Sequence, residues 1–522
     1  MPYKSRIKIE TTATSQIVSP ELHGQFIEHL GGCIQGGIWV GSDSEIDNKE
    51  GLRTALLNAF SDLEPPVLRW PGGCFADTYH WRDGIGDPNR RPTTYNATFG
   101  TNQPENNEFG THEFIDFCRR INAEPWINTN LLSGSVEEMV SWAEYCNRPS
   151  DTYLAKERAT NGSSTPFNVT YWGIGNEAWA GGGTFTAEGY ADTYRRYASA
   201  FPRFPIEPAQ NQLFPETLPI KLVAVGPDGN KPQERVEWTR RFFDALGEFR
   251  APPIHGYDLH FYNWNLQGEA GTITDFNEDQ WNYLLDGALE LEEVIEEQHA
   301  LIEKHLPQAG NDPFAYQPNV DLIVGEWGNW HPFDTSKTAL WQQNTVRDMV
   351  CYALTLDIFH RHCDKVKMAC LAQSVNVLGA LAITDGPHTI LTPTYHLFQL
   401  YKAHRGAQKL ETSCRSTTLF ERTSTLKAVH SFASLKDGVV TINIVNASMS
   451  QPNEVSLVID TKGNWEECKQ LASDQPWHFN DAKHPDRVSP RDCSRPSRSA
   501  NNAWLFLAPP ASVSVLRYRI SP

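Results

Sequence analysis

Residues 169–177 read VTYWGIGNE, a short, mostly apolar run that stops on an amide and a carboxylate, Asn176 and Glu177. A run of that length, bounded by turn residues, reads as a strand buried on both faces. Seven more runs of the same kind flank it: LHGQFIEHL (22–30), PPVLRWPGG (65–73), EPWINTNL (124–131), IKLVAVG (220–226), YDLHFY (257–262), DLIVGEW (321–327) and KMACLAQSVNVL (367–378). Helical periodicity fills the gaps between them. In GTHEFIDFCRRIN (110–122), Phe114, Phe117, Cys118 and Ile121 fall on one helix face, and Leu52, Leu56, Ala59, Phe60 and Leu63 do so after Gly51. Ser135, with Glu138 three residues on, has the capping-box pattern of a helix start. Strand and helix alternating eight times predict an α/β fold, a (β/α)8 TIM barrel over residues 21–404.

The pattern changes at about residue 405. Short β-rich runs follow, among them LKAVHSFASL (426–435), GVVTINIVNAS (438–448) and EVSLVID (454–460), separated by Asp-Gly, Lys-Gly and Ser/Pro-rich turns. They predict a jelly-roll-like β-sandwich over 405–522. Within residues 1–20, SRIKIETT (5–12) alternates polar and apolar side chains, and it is expected to pair as a strand with that sandwich. The polar stretch 474–501 reads as a long surface loop.

Composition narrows the partners. Sixty-three acidic residues against 45 basic ones give a formal net charge of -18, which repels nucleic acid and anionic membranes. The chain carries 16 Trp, 17 Tyr and 25 Phe, a supply of rings that suits either sugar stacking or a large aromatic core. Ten Cys are scattered without zinc spacing, so most read as small buried hydrophobes. No HExxH, P-loop or GxGxxG pattern is present, and neither a metal nor a cofactor is expected. The N-terminus lacks the apolar run of a signal peptide, and no stretch is long enough to span a bilayer. A cytoplasmic protein is therefore expected, or a secreted one if the chain is a mature form.

In a barrel of this kind, working residues gather at the C-terminal ends of the strands. Strand four ends on Asn176 and Glu177, and strand seven carries Glu326 in VGEW. Two carboxylates on one rim are what glycosidic cleavage requires: one protonates the leaving oxygen, and the other attacks the anomeric carbon or activates water. Either glutamate alone reads equally well as a solvated loop residue or an ion-pair partner. Their joint placement favours chemistry.

The segments GQFIEHLGGCIQGGIW (24–39), LRWPGGCFADTYHWRDGIGDPNRRP (68–92), NNEFGTHEF (106–114), YWGIGNEAW (171–179), YDLHFY, VGEWGNW (324–330) and AQSVNVLGAL (372–381) resemble glycoside hydrolase family 51. Typical members are retaining α-L-arabinofuranosidases, and the match is dispersed over most of the barrel. The resemblance implies exo-acting removal of terminal arabinofuranosyl units from arabinoxylan, arabinan or derived oligosaccharides. It makes Glu177 the acid/base and Glu326 the nucleophile. Asn176 matches the residue that bonds the sugar 2-hydroxyl, and Glu28 a carboxylate gripping sugar hydroxyls, with an ion pair to Arg69 as its structural alternative. Arg69 is implied to sit near the nucleophile, where a positive charge would hold Glu326 ionised. His260 and Tyr262 share one strand face, with Tyr262 implied to bond the nucleophile. Gln373 matches a sugar ligand, and Trp330, Phe26 and Trp179 are candidate aromatic walls, core packing being an equal reading for Phe26.

Cys74 departs from the pattern, since some members carry Asn after PGG; it leaves that contact unfilled or supplies its backbone. A homo-oligomer is compatible with the resemblance, whose members include hexamers and monomers. The same machinery also serves β-xylosidases and endo-β-1,4-glucanases, and a non-catalytic carbohydrate-binding protein is the reading from another class.

Overall fold

Eight strands hydrogen-bond, in sequence order, into one closed barrel. They are β1 (Gly24–Phe26), β2 (Val67–Trp70), β3 (Glu124–Thr129), β4 (Tyr171–Ile174), β5 (Lys221–Asp228), β6 (Gly256–Trp264), β7 (Asp321–Trp330) and β8 (Val366–Leu371). The computed structural model describes residues 2–12, 14–149, 151–206, 216–307, 319–421, 425–499 and 503–521. Long helices follow the strands, from Thr54–Leu63 after β1 to Pro393–Tyr401 after β8. β2 and β4 are buried at every position, as strands flanked by helices must be. Five strands, β1 to β4 and β8, are shorter than their runs: β1 is preceded by a 3-10 turn at Pro20–His23, and β8 stops at Leu371 although the run continues to Leu378. Ser135 caps helix Val136–Asn147 by accepting the Glu138 amide at 3.1 Å, but the Glu138 carboxylate turns to His80 Nδ1 at 3.0 Å instead of closing the box.

The chain divides into two compact units, residues 25–260 with 297–325, and residues 1–24 with 261–296 and 326–522. The first is packed around aromatic rings. Trp70 stacks on Phe114 with centroids 4.7 Å apart, and Trp142 meets both Trp81 and Trp172 at about 6 Å. Trp70, Trp81, Trp126 and Trp172 are fully buried, so much of the aromatic richness here is core.

The second unit holds the sandwich. Its five-stranded sheet places Tyr3–Glu10 between Glu411–Arg415, antiparallel, and Asn453–Ile459, parallel. Ile7 and Ile9, the apolar half of the alternation, point into a core with Val440, Ile442, Ile444, Val455, Leu457 and Leu516. The six-stranded sheet is built on Val429–Lys436, Val439–Asn446, Ser512–Ile520 and Gly463–Leu471. The stretch expected to be a surface loop is more ordered than its polarity implies. Arg491–Asp492 and Ser497–Arg498 join sheet edges, and the buried Asn480 exchanges hydrogen bonds with Val488 at 2.8 and 3.0 Å.

Helix Val346–Arg361 is buried from Val346 to His360, which demands apolar residues all round and a partner for every polar one. Arg347 donates to the carbonyls of Ala270 and Thr272 at 2.6 and 2.8 Å, and Asp357 accepts from Asn443 Nδ2 at 2.8 Å. Burial pushes the Asp357 carboxyl up to about 7, against the opposing pull of the Asn443 hydrogen bond and the Arg361 charge. The unfolded chain ionises it near about 4. Unfolding therefore releases a proton between those values, and stability falls as pH rises from about 4 to about 7, staying low above that. Asp357→Asn keeps the acceptor for Asn443 and removes the ionisation. It is expected to stabilise by roughly 1–4 kcal/mol at pH 8 and hardly at all at pH 4. Thermal melts at the two pH values check this; equal shifts at both would contradict it.

Candidate active site

Glu177 follows β4 where the chain turns sharply, with Gly175 at φ 84° and Glu177 itself at φ 39°. A side chain rarely occupies that left-handed region outside sites that hold it there. The half-buried Glu177 carboxylate is met from two directions: His260 Nδ1 lies 2.9 Å from Oε1, and Cys74 Sγ lies 3.9 Å from Oε2. The other imidazole nitrogen, Nε2, lies 3.3 Å from Asp258 Oδ2. Asp258 is itself fixed by the Gly325 amide, which donates to Oδ1 at 2.6 Å. A carboxylate–imidazole–carboxylate chain thus orients Glu177 from β6.

Arg69, on β2, carries a fully buried charge, which is tolerable only if paired and hydrogen-bonded. Its Nη2 donates to Asn176 Oδ1 at 2.7 Å and lies 3.9 Å from Asp258; its Nη1 donates to the carbonyl of Gly325, the residue before Glu326, at 3.4 Å. The guanidinium stands 4.7 Å from the Phe26 ring and 5.1 Å from that of Trp126. Phe26 is therefore a buried support for Arg69 and not an exposed wall. Asn176 also donates to Cys74 Sγ at 4.0 Å, which puts the thiol beside both residues that follow β4.

The buried Glu28 accepts the amides of Gly73 and Phe75 on Oε1, each at 3.0 Å. Gly72 makes this possible: a Cβ there would lie 2.5 Å from Glu28 Cγ. The PGG motif is thus a backbone cradle for a carboxylate. Gly182 plays a similar part after Glu177, since a Cβ would fall 1.7 Å from the Asn176 carbonyl oxygen and 2.9 Å from Asp77 Oδ2. Burial pushes the Asp77 carboxyl well above the usual range, with the Leu131 amide and Arg69 opposing. Trp179, half-buried, is anchored by Nε1 donating to the Gly226 carbonyl at 3.0 Å.

Glu326 lies within β7 and is buried. Tyr262, two residues beyond His260 on β6, donates its hydroxyl to Glu326 Oε2 at 2.7 Å. The Tyr262 ring meets Trp330 edge-on at 4.9 Å, and Trp330 stacks on Trp264 at 4.9 Å. Trp264 and Phe333 are substantially exposed and extend this aromatic series to the surface. His331 is held between Asp348 Oδ1 at 2.8 Å and Asn265 at 3.0 Å. Gln373 is buried just past β8, its backbone N–H donating to the Val377 carbonyl at 3.2 Å.

Sequence reasoning missed Asp258, Asp77, Trp264 and Phe333. Asp258 alone carried a signal, since it shares a strand face with His260 and Tyr262.

A closed (β/α)8 barrel with a strongly positioned glutamate just past its fourth strand and another within its seventh is an architecture suited to glycoside hydrolysis. Residues 59–280 match the family described as Alpha-L-arabinofuranosidase 1 domain, and residues 325–512 the Alpha-L-arabinofuranosidase C-terminal domain. An intracellular exo-alpha-L-arabinofuranosidase of Bacteroides ovatus is 35% identical over 492 residues, 93% of this chain and 90% of that protein. The crystal structure of the family 51 arabinofuranosidase from Xanthomonas axonopodis pv. citri is 34% identical, with a TM-score of 0.87 over 99% of this chain and all of that one (100%). An arabinose complex of the Thermotoga maritima α-L-arabinofuranosidase is 26% identical, with a TM-score of 0.82 over 99% and 100% of the two chains. The chain belongs to glycoside hydrolase family 51, the α-L-arabinofuranosidases. It is a glycosidase acting on arabinose-containing glycans.

Proposed function

We propose that this enzyme releases terminal α-L-arabinofuranosyl units from arabinoxylan, arabinan or their oligosaccharides by double displacement, with Glu326 as nucleophile and Glu177 as acid/base. The observation that carries the assignment is the Tyr262 hydroxyl on Glu326 Oε2 at 2.7 Å. A donor on one oxygen fixes the carboxylate and aims its other oxygen, as a nucleophile needs. Glu177, half-buried and facing an imidazole, has the access to water that a group cycling between acid and base requires.

In the first step Glu177 protonates the leaving oxygen while Glu326 attacks the anomeric carbon through an oxocarbenium-like transition state. In the second, Glu177 deprotonates water, which hydrolyses the glycosyl-enzyme with net retention. Asn176, locked by Arg69, bonds the sugar 2-hydroxyl. Glu28 and Gln373 grip other hydroxyls, Trp330 and Trp179 pack on the ring, and Cys74 supplies a small, weakly polar wall beside Glu177. The catalytic part is residues 21–404, the sandwich is 405–522, and the strand within 1–20 belongs with the sandwich. An intracellular location follows the name of the Bacteroides ovatus relative; among the described residues no helix is long and apolar enough to cross a membrane.

A panel of nitrophenyl glycosides with NMR of the first-formed anomer tests the reading. Release from the α-L-arabinofuranoside with retention is expected. Preference for the β-xyloside or a β-1,4-glucan would move the specificity, and inversion would end the double displacement. Tyr262→Phe is expected to lower kcat/KM on the arabinofuranoside by roughly 10- to 100-fold, the loss of one hydrogen bond to a charged group. An unchanged kcat/KM would remove Tyr262 from the mechanism.

A further inference from the structure

The segment 472–491 of the sandwich walls a cavity, about 1040 Å³ in volume, whose lining includes Gln470, Gln475, Trp477, Arg487 and Arg491. None of the residues placed in the active site lines it. Its wall is built rather than loose. Asn480 is buried and bonds Val488 from both ends of its amide, and it also donates to the Leu391 carbonyl at 2.8 Å. The His478 carbonyl accepts the Val346 amide at 2.9 Å, which ties the segment to the start of a buried helix. Ser473 Oγ lies 2.7 Å from His478 Nδ1, and Arg487 lies 2.7 Å from His484. Between these anchors the Trp477 indole is left 39% exposed.

An apolar ring held open to solvent on an anchored segment, inside a cavity edged by amides, guanidinium groups and the carboxylates of Asp474 and Asp486, has the chemistry of a sugar site. The ring face packs on sugar C–H groups, while planar forked donors and amides bond vicinal hydroxyls. The volume is at the upper end of that of small-molecule sites, enough for several sugar residues. A net charge of -18 disfavours polyanions as occupants. We propose that this cavity is a second, non-catalytic binding site for the neutral chain of an arabinose-bearing polysaccharide, with Trp477 as its stacking platform. Holding the polymer there raises the local concentration of side chains for the active site without changing the chemistry on a small substrate. The inference rests on the polysaccharide reading of the substrate, and its test keeps the two apart.

Native gel electrophoresis through soluble arabinan and through wheat-type arabinoxylan measures retardation of the whole enzyme. Wild type is expected to be retarded by at least one of them. Trp477→Ala is expected to weaken that retardation at least about 10-fold, equivalent to about 1.4 kcal/mol, and Arg491→Ala to weaken it less. Both variants are expected to keep wild-type kcat/KM on nitrophenyl α-L-arabinofuranoside and to lose efficiency only on the polymer. Trp477 and Arg491 are exposed, so both variants are expected to fold. The inference is overturned if wild type is retarded by neither polymer, if Trp477→Ala is retarded as wild type is, or if the variants lose activity on the small substrate in equal measure. In the first two cases activity on the small substrate still stands, so the catalytic reading survives.

Discussion

Glu326→Ala is expected to abolish turnover, lowering kcat on aryl α-L-arabinofuranosides by roughly 10⁴- to 10⁶-fold, as removal of an enzymatic nucleophile does. The reason is specific to the first step. Without the carboxylate there is no group to form the glycosyl-enzyme, and a better leaving group does not help. The loss should therefore be equally deep for nitrophenyl and dinitrophenyl substrates. Azide in the vacated space attacks the anomeric carbon directly from the nucleophile's side and yields the inverted β-arabinofuranosyl azide. Because the buried Glu326 accepts the Tyr262 hydroxyl, truncation removes that hydrogen bond and lowers stability somewhat. Glu326→Gln, which keeps the shape and an acceptor, separates lost chemistry from lost folding. Residual activity above about 1% in the folded glutamine variant, or an α-configured azide product, would assign the nucleophile elsewhere.

Much of this architecture was legible in the sequence because strands buried on both faces read as largely apolar runs, and all eight barrel strands overlap such runs. The same property hides their ends. KMACLAQSVNVL runs on past Leu371 without a turn signal, its apolar residues interleaved with Gln373, Ser374 and Asn376, because the segment after β8 is as buried as the strand itself. Side-chain direction was less legible. Phe26 sits in a motif with Glu28 and reads as either a wall or core packing; it is buried against Arg69. Identity alone cannot tell a ring that faces a site from one that props up a residue facing it. Least legible were partners distant in the chain. Nothing in PGG says that Gly72 clears the path of Glu28, and nothing in YNW says that Trp264 will stack on Trp330. Asp258 was within reach, being two residues before His260 on the same strand face.

Glu177→Ala separates the two glutamates by a different signature, because its two duties are lost in different steps. As an acid, Glu177 matters in proportion to how much proton the leaving oxygen needs. Sugar and alkyl leaving groups should lose about 10²- to 10⁴-fold in kcat/KM, whereas dinitrophenolate, which departs unprotonated, should lose little. As a base, it matters only once the glycosyl-enzyme exists. A dinitrophenyl substrate should therefore react in a burst equal to the enzyme present and then stall, since the intermediate forms and water is no longer activated. Azide needs no base, so it should relieve the stall and give the α-arabinofuranosyl azide, opposite in configuration to the Glu326→Ala product. The His260–Asp258 chain sharpens the reading further. If Glu177 only braced His260, its removal would weaken all leaving groups alike, with no burst and no azide product. A leaving-group-independent loss would thus reduce Glu177 to a positioning residue, whereas a steep dependence with opposite azide anomers from the two variants fixes the acid/base and the nucleophile independently of each other.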